Sequence, residues 1–224
     1  MQLMQNWKPI LPPFREHKSV VFGNSSKVSS FIYQIGESEI LRKPSRQIPV
    51  NKITSTEVQE KFAYLKKCLI KYRKLTRNGR GITAVQVGIP ERFSVVYIPD
   101  NPNSHMSNGN VDFKNLFIIV NPKINSTSKR ELIYPEMCMS ANPIIAPTIR
   151  PAWIEFDYYD EGGKLRHWDK KDDTEQGRIL NRVFQHEIDH MNGVINIDKC
   201  NPKDLILESD PKFYKNADFT EVST

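Results

Sequence analysis

The clearest hydrophobic pattern in the chain lies towards its C-terminal end, over residues 176–192. At about 100° per residue, Ile179, Val183, His186 and His190 fall on one narrow face of a helix, beside an apolar face. The far side collects the polar residues Arg178, Asn181, Arg182, Gln185, Asp189 and Asn192. A helix that is apolar over nearly half its circumference must be buried, so the pattern predicts that both histidines point into the interior.

Other periodic stretches predict a second helix and several strands. The helix is predicted over residues 57–74, where Val58, Phe62, Leu65 and Leu69 recur at intervals of four, three and four. Strands are predicted at residues 93–98, 116–120, 131–134 and 153–159. Between the first two strands lies a polar, asparagine-rich loop at residues 100–112, which is typical of a tolerated surface insertion, with a functional flap as the alternative.

The length of 224 residues is within the range of a single domain. The sequence divides into an N-terminal extension at residues 1–30, a central domain at 31–204 and a C-terminal tail at 205–224. The tail is uninformative beyond the aromatic pair Phe213 and Tyr214, which would pack on the domain.

The N-terminal extension is basic, rich in serine and poor in acids, since Glu16 is its single acidic residue. That composition is typical of an organelle transit peptide. The alternative is an extra surface segment, because three prolines interrupt any amphipathic helix at Pro9, Pro12 and Pro13.

The composition argues against a membrane-spanning protein and against a disulfide-stabilised one, and it leaves the role of one basic segment open. The longest apolar stretch, residues 116–120, is far shorter than the roughly 20 residues that span a bilayer, and three cysteines indicate a reducing compartment. Much of the net charge of +6 comes from residues 61–80, which carry eight cations and no acid. This basic block is either a solvated helix face or a contact for ribosomal RNA or another polyanion.

The segment VFQHEIDHMNG, residues 183–193, carries the candidate chemistry. Its His-Glu-x-x-His motif places His186 and His190 one turn apart, converging on one cation, with Glu187 beside the open coordination position. Three polar groups on a buried face need a compensating partner, so the motif predicts a metal site. The motif alone does not decide the reaction, since most chains that carry it are peptidases.

The third ligand separates the classes of metalloenzyme. A metzincin peptidase needs a histidine where this chain has Asn196, and the glutamate of a gluzincin could only be Glu208, in a tail without helical periodicity. Upstream, Cys138 lies just after a predicted strand in the segment YPEMCMS, residues 134–140. A thiolate with two imidazoles suits zinc or ferrous iron.

Three segments together resemble the peptide deformylase family. GRGITAVQVGIP (79–90) is similar to its first motif, Gly-hydrophobic-Gly-hydrophobic-Ala-Ala-x-Gln, and EMCMS (136–140) to its second, Glu-Gly-Cys-x-Ser. QHEIDHMNG (185–193) is similar to its third, Gln-His-Glu-x-Asp-His-Leu-x-Gly, and the resemblance runs in order through residues 31–200. It implies an α+β fold in which antiparallel β-sheets wrap around a central His-Glu-x-x-His helix.

The resemblance also implies the reaction, which is removal of the formyl group from N-formylmethionine of newly synthesised peptides. The metal ligands would be Cys138, His186 and His190. The single divalent ion, Fe(II) or Zn(II), would lower the pKa of a bound water and polarise the formyl oxygen. Glu187 would be the general base, and the oxyanion would be bound by the Gln86 amide and the Met139 backbone N–H.

Substrate contacts follow from the same resemblance. Gly79 and Gly81 would let an extended peptide pair with the backbone like an added strand, unless they only form a turn. Ile179 and Val183, which precede His186 on its helix face, would line a pocket for the methionine side chain, unless they are simply core. The predicted substrate-binding set is completed by Arg80, Glu136 and Met137.

Three residues depart from the family motifs. Arg80 replaces an apolar residue, Thr83 an alanine and Met137 a glycine. If residue 137 needs a positive φ, its side chain costs about 1–2 kcal/mol, and the thioether would also crowd the cleft. We therefore expect the chemistry to survive with altered peptide affinity or preference. The alternatives are a non-catalytic or weakly active relative that binds peptide or metal, and a zincin endopeptidase.

Formylated chain starts occur in bacteria and in organelles of bacterial descent. With the N-terminal extension, this favours a mitochondrial or plastid-like location over a cytoplasmic one. The expected partners are N-formylmethionyl nascent peptides, and a ribosome or RNA contact through the basic block. The sequence leaves the oligomeric state and the physiological metal open.

Overall fold

The structure is a computed structural model and describes residues 30–76, 78–99, 113–169, 174–208 and 219–222. The predictions for residues 1–29, for the loop at 100–112 and for Phe213 and Tyr214 lie outside these ranges. Within them, no helix is both long enough and apolar enough to cross a membrane.

Two α-helices are present where the periodicity predicts them. Helix α1 spans Thr56–Thr76 and helix α2 spans Glu175–Met191. The predicted apolar stripe of α1 is buried, because it packs into a core shared with the adjacent sheet. The α2 side chains Leu180, Phe184 and Ile188 pack into a second core.

The first sheet has five antiparallel strands in the order β1-β2-β3-β6-β7. These strands are β1 (Gly81–Thr83), β2 (Phe93–Tyr97), β3 (Leu116–Thr127), β6 (Ile154–Tyr159) and β7 (Leu165–Trp168). The α1 core lies against β1, β2 and β3, and the α2 core lies against β2, β3 and β6. β1 is therefore an edge strand that lies next to both helices.

The second sheet has four antiparallel strands in the order β8-β5-β4-β9. These are β4 (Glu131–Met137), β5 (Ile144–Pro151), β8 (Ile206–Leu207) and β9 (Thr220–Glu221). Thus two short segments of the C-terminal tail extend a sheet of the domain: β8 pairs with β5, and β9 pairs with β4. Two helices with antiparallel sheets confirm the α+β prediction.

All four predicted strands are present, but β1, β5, β7 and the tail strands were not predicted. Proline removes a backbone donor from a sheet, so the prolines of β5 argue against a strand in sequence. In the structure Pro147 of β5 lies directly opposite Pro135 of β4. The two prolines therefore form one residue pair between the strands.

Half of the predicted polar side of α2 is buried, which the helical periodicity does not predict. Asn181, Arg182 and Gln185 are all buried. The Asn181 Oδ1 accepts from the Ile154 N–H at 3.1 Å, and the Gln185 Nε2 donates to the Pro151 carbonyl at 2.9 Å. These polar side chains can be buried because backbone groups in and beside β5 and β6 provide partners for them.

Candidate metal centre

Helix α2 and the end of β4 bring the three predicted metal ligands together. The His186 and His190 rings have centroids 4.9 Å apart, and Cys138 directly follows β4. The Cys138 Sγ lies 3.2 Å from the His190 Nε2, and one ligand atom from each residue lies within 4.8 Å of the other two. Cys138 and His190 are buried, whereas His186 borders a cleft.

This donor set fits a zinc or ferrous ion. One thiolate and two imidazoles are the ligands that such ions prefer, and bonds of about 2.0–2.3 Å to one ion are compatible with the observed separations. Burial lowers the pKa of His190 well below its ordinary value, which favours the neutral imidazole that coordination needs. Three protein ligands leave a fourth position for water.

Glu136 of β4 orients the centre from inside the protein. Its Oε2 lies 2.9 Å from the His186 Nδ1, which turns the other ring nitrogen towards the ligand cluster. The Arg150 guanidinium donates to both carboxylate oxygens, at 2.7 and 3.0 Å, and Arg182 donates to Oε1 at 3.0 Å. Burial alone would raise the pKa of Glu136, but Arg150 and His186 hold it well below its ordinary value. Glu136 was predicted as a substrate contact, yet both its oxygens are engaged within the protein.

Glu187 lies in space that Gly81 leaves open. A Cβ on Gly81 would lie 2.3 Å from the Glu187 Oε1 and 2.7 Å from its Cδ. The Thr83 hydroxyl lies 2.5 Å from Oε2. Burial raises the pKa of Glu187, although His186 and the Thr83 hydrogen bond act against that shift. A carboxylate with a raised pKa suits a group that must take a proton and then return it.

The two predicted glycines contact the protein's own side chains. Gly79 has φ +99°, and a Cβ there would lie 2.7 Å from the Met139 Cε and 2.8 Å from the Tyr72 ring. Close packing therefore excludes a side chain at both positions, and at Gly79 the positive φ disfavours one as well. The outer edge of β1 is still open for an extended peptide within the described residues, since β2 is its one strand partner there.

Gln86 follows β1 in a short 3₁₀ helix, Ala84–Val87, and is buried. Its Oε1 accepts from the Thr83 N–H at 2.8 Å, and its Nε2 donates to the Ser140 hydroxyl at 3.1 Å. An amide nitrogen has two hydrogens, so one of them is left for a ligand. Gln86 and Met139 both border the same cleft as Glu187.

That cleft has a volume of about 230 Å³ and lies in front of the ligand cluster. All of the predicted substrate-binding residues border it, including Ile179 and Val183. Six further residues that the sequence analysis did not predict also line it: Tyr72, Asn78, Tyr134, Pro135, Arg182 and Phe219. Tyr134 lay in a predicted strand and Arg182 on the supposed outer face of α2, so neither carried a signal of a site.

Phe219 reaches the cleft because β9 pairs with β4. Its ring stacks on Tyr134 with centroids 4.5 Å apart, and the Arg182 guanidinium lies 5.8 Å from the Phe219 ring centroid. The C-terminal tail thus contributes an aromatic wall to the cleft.

Arg80 and Met137 differ in how far they meet the expectation from sequence. Arg80 borders the cleft as predicted, and burial, with the neighbouring Arg73, lowers its pKa to about 10. It therefore stays cationic at neutral pH. The strain expected at Met137 is absent, because Asn121 is the one non-glycine residue with a positive φ in the described part of the chain. The Met137 Sδ accepts from the Asn78 side chain at 3.4 Å and narrows the cleft.

Neither Asn196, which stands where a metzincin has its third histidine, nor Glu208 belongs to the ligand cluster. The Asn196 Nδ2 donates to the Glu136 carbonyl at 3.0 Å, and the Glu208 N–H donates to the Pro143 carbonyl at 2.9 Å. Among the described ranges, the cluster of Cys138 with the two histidines is the one group able to hold a metal.

The basic block is partly neutralised. Lys61 and Lys66 form ion pairs with glutamates, and Arg73 is buried with a hydrogen bond to the Gly79 carbonyl. Lys67 and Lys74 are exposed. These contacts fit the interpretation as a packed and solvated helix face.

Comparisons with known proteins agree with the geometry. The sequence profile named Polypeptide deformylase matches residues 30–205. A peptide deformylase from Prochlorococcus marinus (strain NATL1A) is 30% identical over 194 residues, which cover 86% of this chain and 84% of that one. The structure of peptide deformylase from Plasmodium falciparum matches with a TM-score of 0.62 at 26% identity, covering 77% of this chain and 86% of that one. A peptide deformylase structure from Legionella pneumophila gives 0.61 at 26%, with the same two coverages.

Proposed function

Because the chain belongs to the polypeptide deformylase family, a family of metal-dependent hydrolases, we propose that it removes the formyl group from N-formylmethionyl peptides. The observation that carries this proposal is the cluster of Cys138, His186 and His190 with Glu187 beside it. Of these four residues, His186 and Glu187 border the cleft, whereas Cys138 and His190 are buried.

The ligand cluster would hold one divalent ion. Fe(II) and Zn(II) both suit a thiolate with two imidazoles, and a bound ion would lower the pKa of a water and polarise the formyl oxygen. Glu136 keeps the His186 ring in the orientation that coordination needs.

The protein's own groups then divide the work of amide hydrolysis. Glu187 takes the proton of the attacking water and returns it to the peptide nitrogen as the formyl C–N bond breaks, which releases formate and a free amine. The remaining Gln86 amide hydrogen, with the Met139 N–H, donates to the oxygen that becomes negative. Burial of these groups strengthens such hydrogen bonds.

Substrate would bind along the edge of β1. An extended peptide pairs with the open strand edge, and its first side chain enters the cleft beside Ile179 and Val183. The methionine thioether suits a cleft bordered by the Tyr134 and Phe219 rings, because sulfur packs favourably against aromatic edges.

Formate release tests the proposal. Purified protein, loaded separately with Fe(II) and Zn(II), is given a formyl-Met tripeptide, with a Glu187→Gln variant as the matched control. We expect formate from the wild type and a loss of at least about 100-fold in the variant. Shorter peptides without formate would indicate a peptidase, and neither product would indicate a binding protein.

We also propose an organellar location, supported by the basic, serine-bearing composition of residues 1–30. A fusion of residues 1–35 to a fluorescent protein should reach mitochondria or plastids, and a diffuse cytosolic signal would contradict the organellar location.

Ribosome contact through the basic block is a separate proposal. It predicts that charge reversal at the exposed Lys67 and Lys74 lowers co-sedimentation with ribosomes.

A further inference from the structure

Thr83 contacts two residues of the reaction but has no role in the mechanism above. It is the last residue of β1 and is fully buried. Its Oγ1 lies 2.5 Å from the Glu187 Oε2 and 3.2 Å from the Glu187 carbonyl oxygen. Its backbone N–H donates to the Gln86 Oε1 at 2.8 Å. One residue therefore joins the base to the oxyanion donor.

The direction of the hydroxyl bond follows from its possible partners. A threonine hydroxyl has one hydrogen to donate, and an ionised carboxylate can only accept. Oε2 is the nearer acceptor and carries charge, and hydrogen bonds to charged acceptors are about twice as strong as neutral ones. The hydroxyl therefore donates to Oε2, and the carboxylate can no longer rotate freely about its last bond.

The other carboxylate oxygen is left for the reaction. Oε1 is the oxygen that lies over Gly81, where the glycine has no side chain, and Glu187 borders the cleft. With Oε2 engaged by Thr83, Oε1 is the atom with free lone pairs for a proton from water.

We propose that Thr83 is a positioning residue that fixes both catalytic side chains at once. Its hydroxyl fixes Oε2 so that Oε1 receives the proton of the attacking water, and its N–H fixes the Gln86 carboxamide so that the amide nitrogen faces the cleft. The proposal rests on the deformylase function. The residue is a departure of this chain, since the family motif that GRGITAVQ resembles has alanine where Thr83 stands. The hydroxyl bond to the base is therefore an addition to the motif.

Three substitutions separate the hydroxyl from the packing of the side chain. Thr83→Val keeps the shape and removes the hydroxyl, Thr83→Ser keeps the hydroxyl and removes the methyl group, and Thr83→Ala restores the motif residue. A matched control is Thr148→Val, since Thr148 is equally buried and its hydroxyl donates to the Ala146 carbonyl at 2.9 Å, away from the base.

We expect Thr83→Val and Thr83→Ala to lower kcat about 10-fold with KM changed by less than about 2-fold, because a misplaced base affects the chemical step more than binding. Thr83→Ser should recover kcat to within about 2-fold of the wild type, and Thr148→Val should keep wild-type kinetics. Metal content should be equal in all variants that fold. If Thr83→Val does not fold, Thr83→Ala decides.

The other results are each decisive. A kcat that is unchanged or raised by loss of the hydroxyl would overturn the positioning role. A serine variant as slow as the valine variant would show that the methyl group acts through packing. Wild-type protein that releases no formate would refute the proposed function, and this inference with it, whereas active wild type with unaffected Thr83 variants would refute this inference alone.

Discussion

Gly81→Ala is the sharpest perturbation of the base that the structure offers. The added Cβ would lie 2.3 Å from the Glu187 Oε1, about 1.1 Å short of the 3.4 Å at which ordinary contact begins. The carboxylate has little room to yield, because Glu187 is 4% exposed and its Oε2 is hydrogen-bonded to Thr83. A displacement of about 1 Å at a reacting group can cost about 100-fold in rate.

We therefore expect Gly81→Ala to lower kcat for a formyl-Met tripeptide about 100-fold, measured as formate release on metal-loaded protein. The three closest atoms to the added methyl all belong to Glu187 and none to a metal ligand, so bound metal should stay at wild-type stoichiometry. Gly162→Ala is the matched control, since its Cβ would lie 3.3 Å from the nearest atom, the Asp160 Oδ1, far from the cleft. Retention of more than about a third of wild-type kcat would refute the reasoning, and so would loss of metal.

Three further substitutions test other parts of the centre. Glu136→Gln should weaken metal affinity about 10- to 100-fold, since it removes the charge that orients His186. Competition with a chelator measures this affinity, and an unchanged value would contradict the role of Glu136. Met137→Gly should raise kcat/KM by widening the cleft, and unchanged kinetics would remove the obstruction argument. Phe219→Ala should lower kcat/KM for formyl-Met peptides by about 10-fold, while kcat/KM for formyl-Ala peptides changes little, because the lost ring lines the cleft. The control is Phe113→Ala, which removes an exposed phenylalanine. Equal losses on both peptides would refute a role of Phe219 in the pocket.

The metal centre could be predicted because its signals are local or chemically rare. His186 and His190 share a helix turn, so their periodicity alone places them on one buried face. Cys138 lies 52 residues from His190 in sequence, but the chain has only three cysteines, so few residues could supply a soft ligand. The structure brings all three together.

The polar side of α2 could not be predicted in the same way. Helical periodicity ranks residues by polarity, but it does not show whether a polar side chain will find a partner in another element. The Arg182 guanidinium donates to the Leu132 carbonyl, 50 residues away, at 2.7 Å. Burial of such a residue depends on non-local pairing, which the helix pattern does not contain.

The aromatic wall that Phe219 adds to the cleft could not be predicted, for a related reason. β9 has two residues, too few for an alternating pattern, and its pairing with β4 joins residues 89 apart in sequence, Leu132 and Glu221. Phe219 therefore had no signal beyond its aromatic character. Thr83 was visible as a departure from the motif, but its contact with Glu187 spans 104 residues and depends on the packing of β1 against α2.

The buried carboxylate of Glu136 has a consequence for how this protein can change over evolutionary time. Through Arg150 and Arg182 it ties β4, β5 and α2 together, and through His186 it steers a metal ligand. The stability of the fold and the retention of the metal thus both depend on one side chain. A substitution of Glu136 during evolution would therefore lower fold stability and metal affinity together.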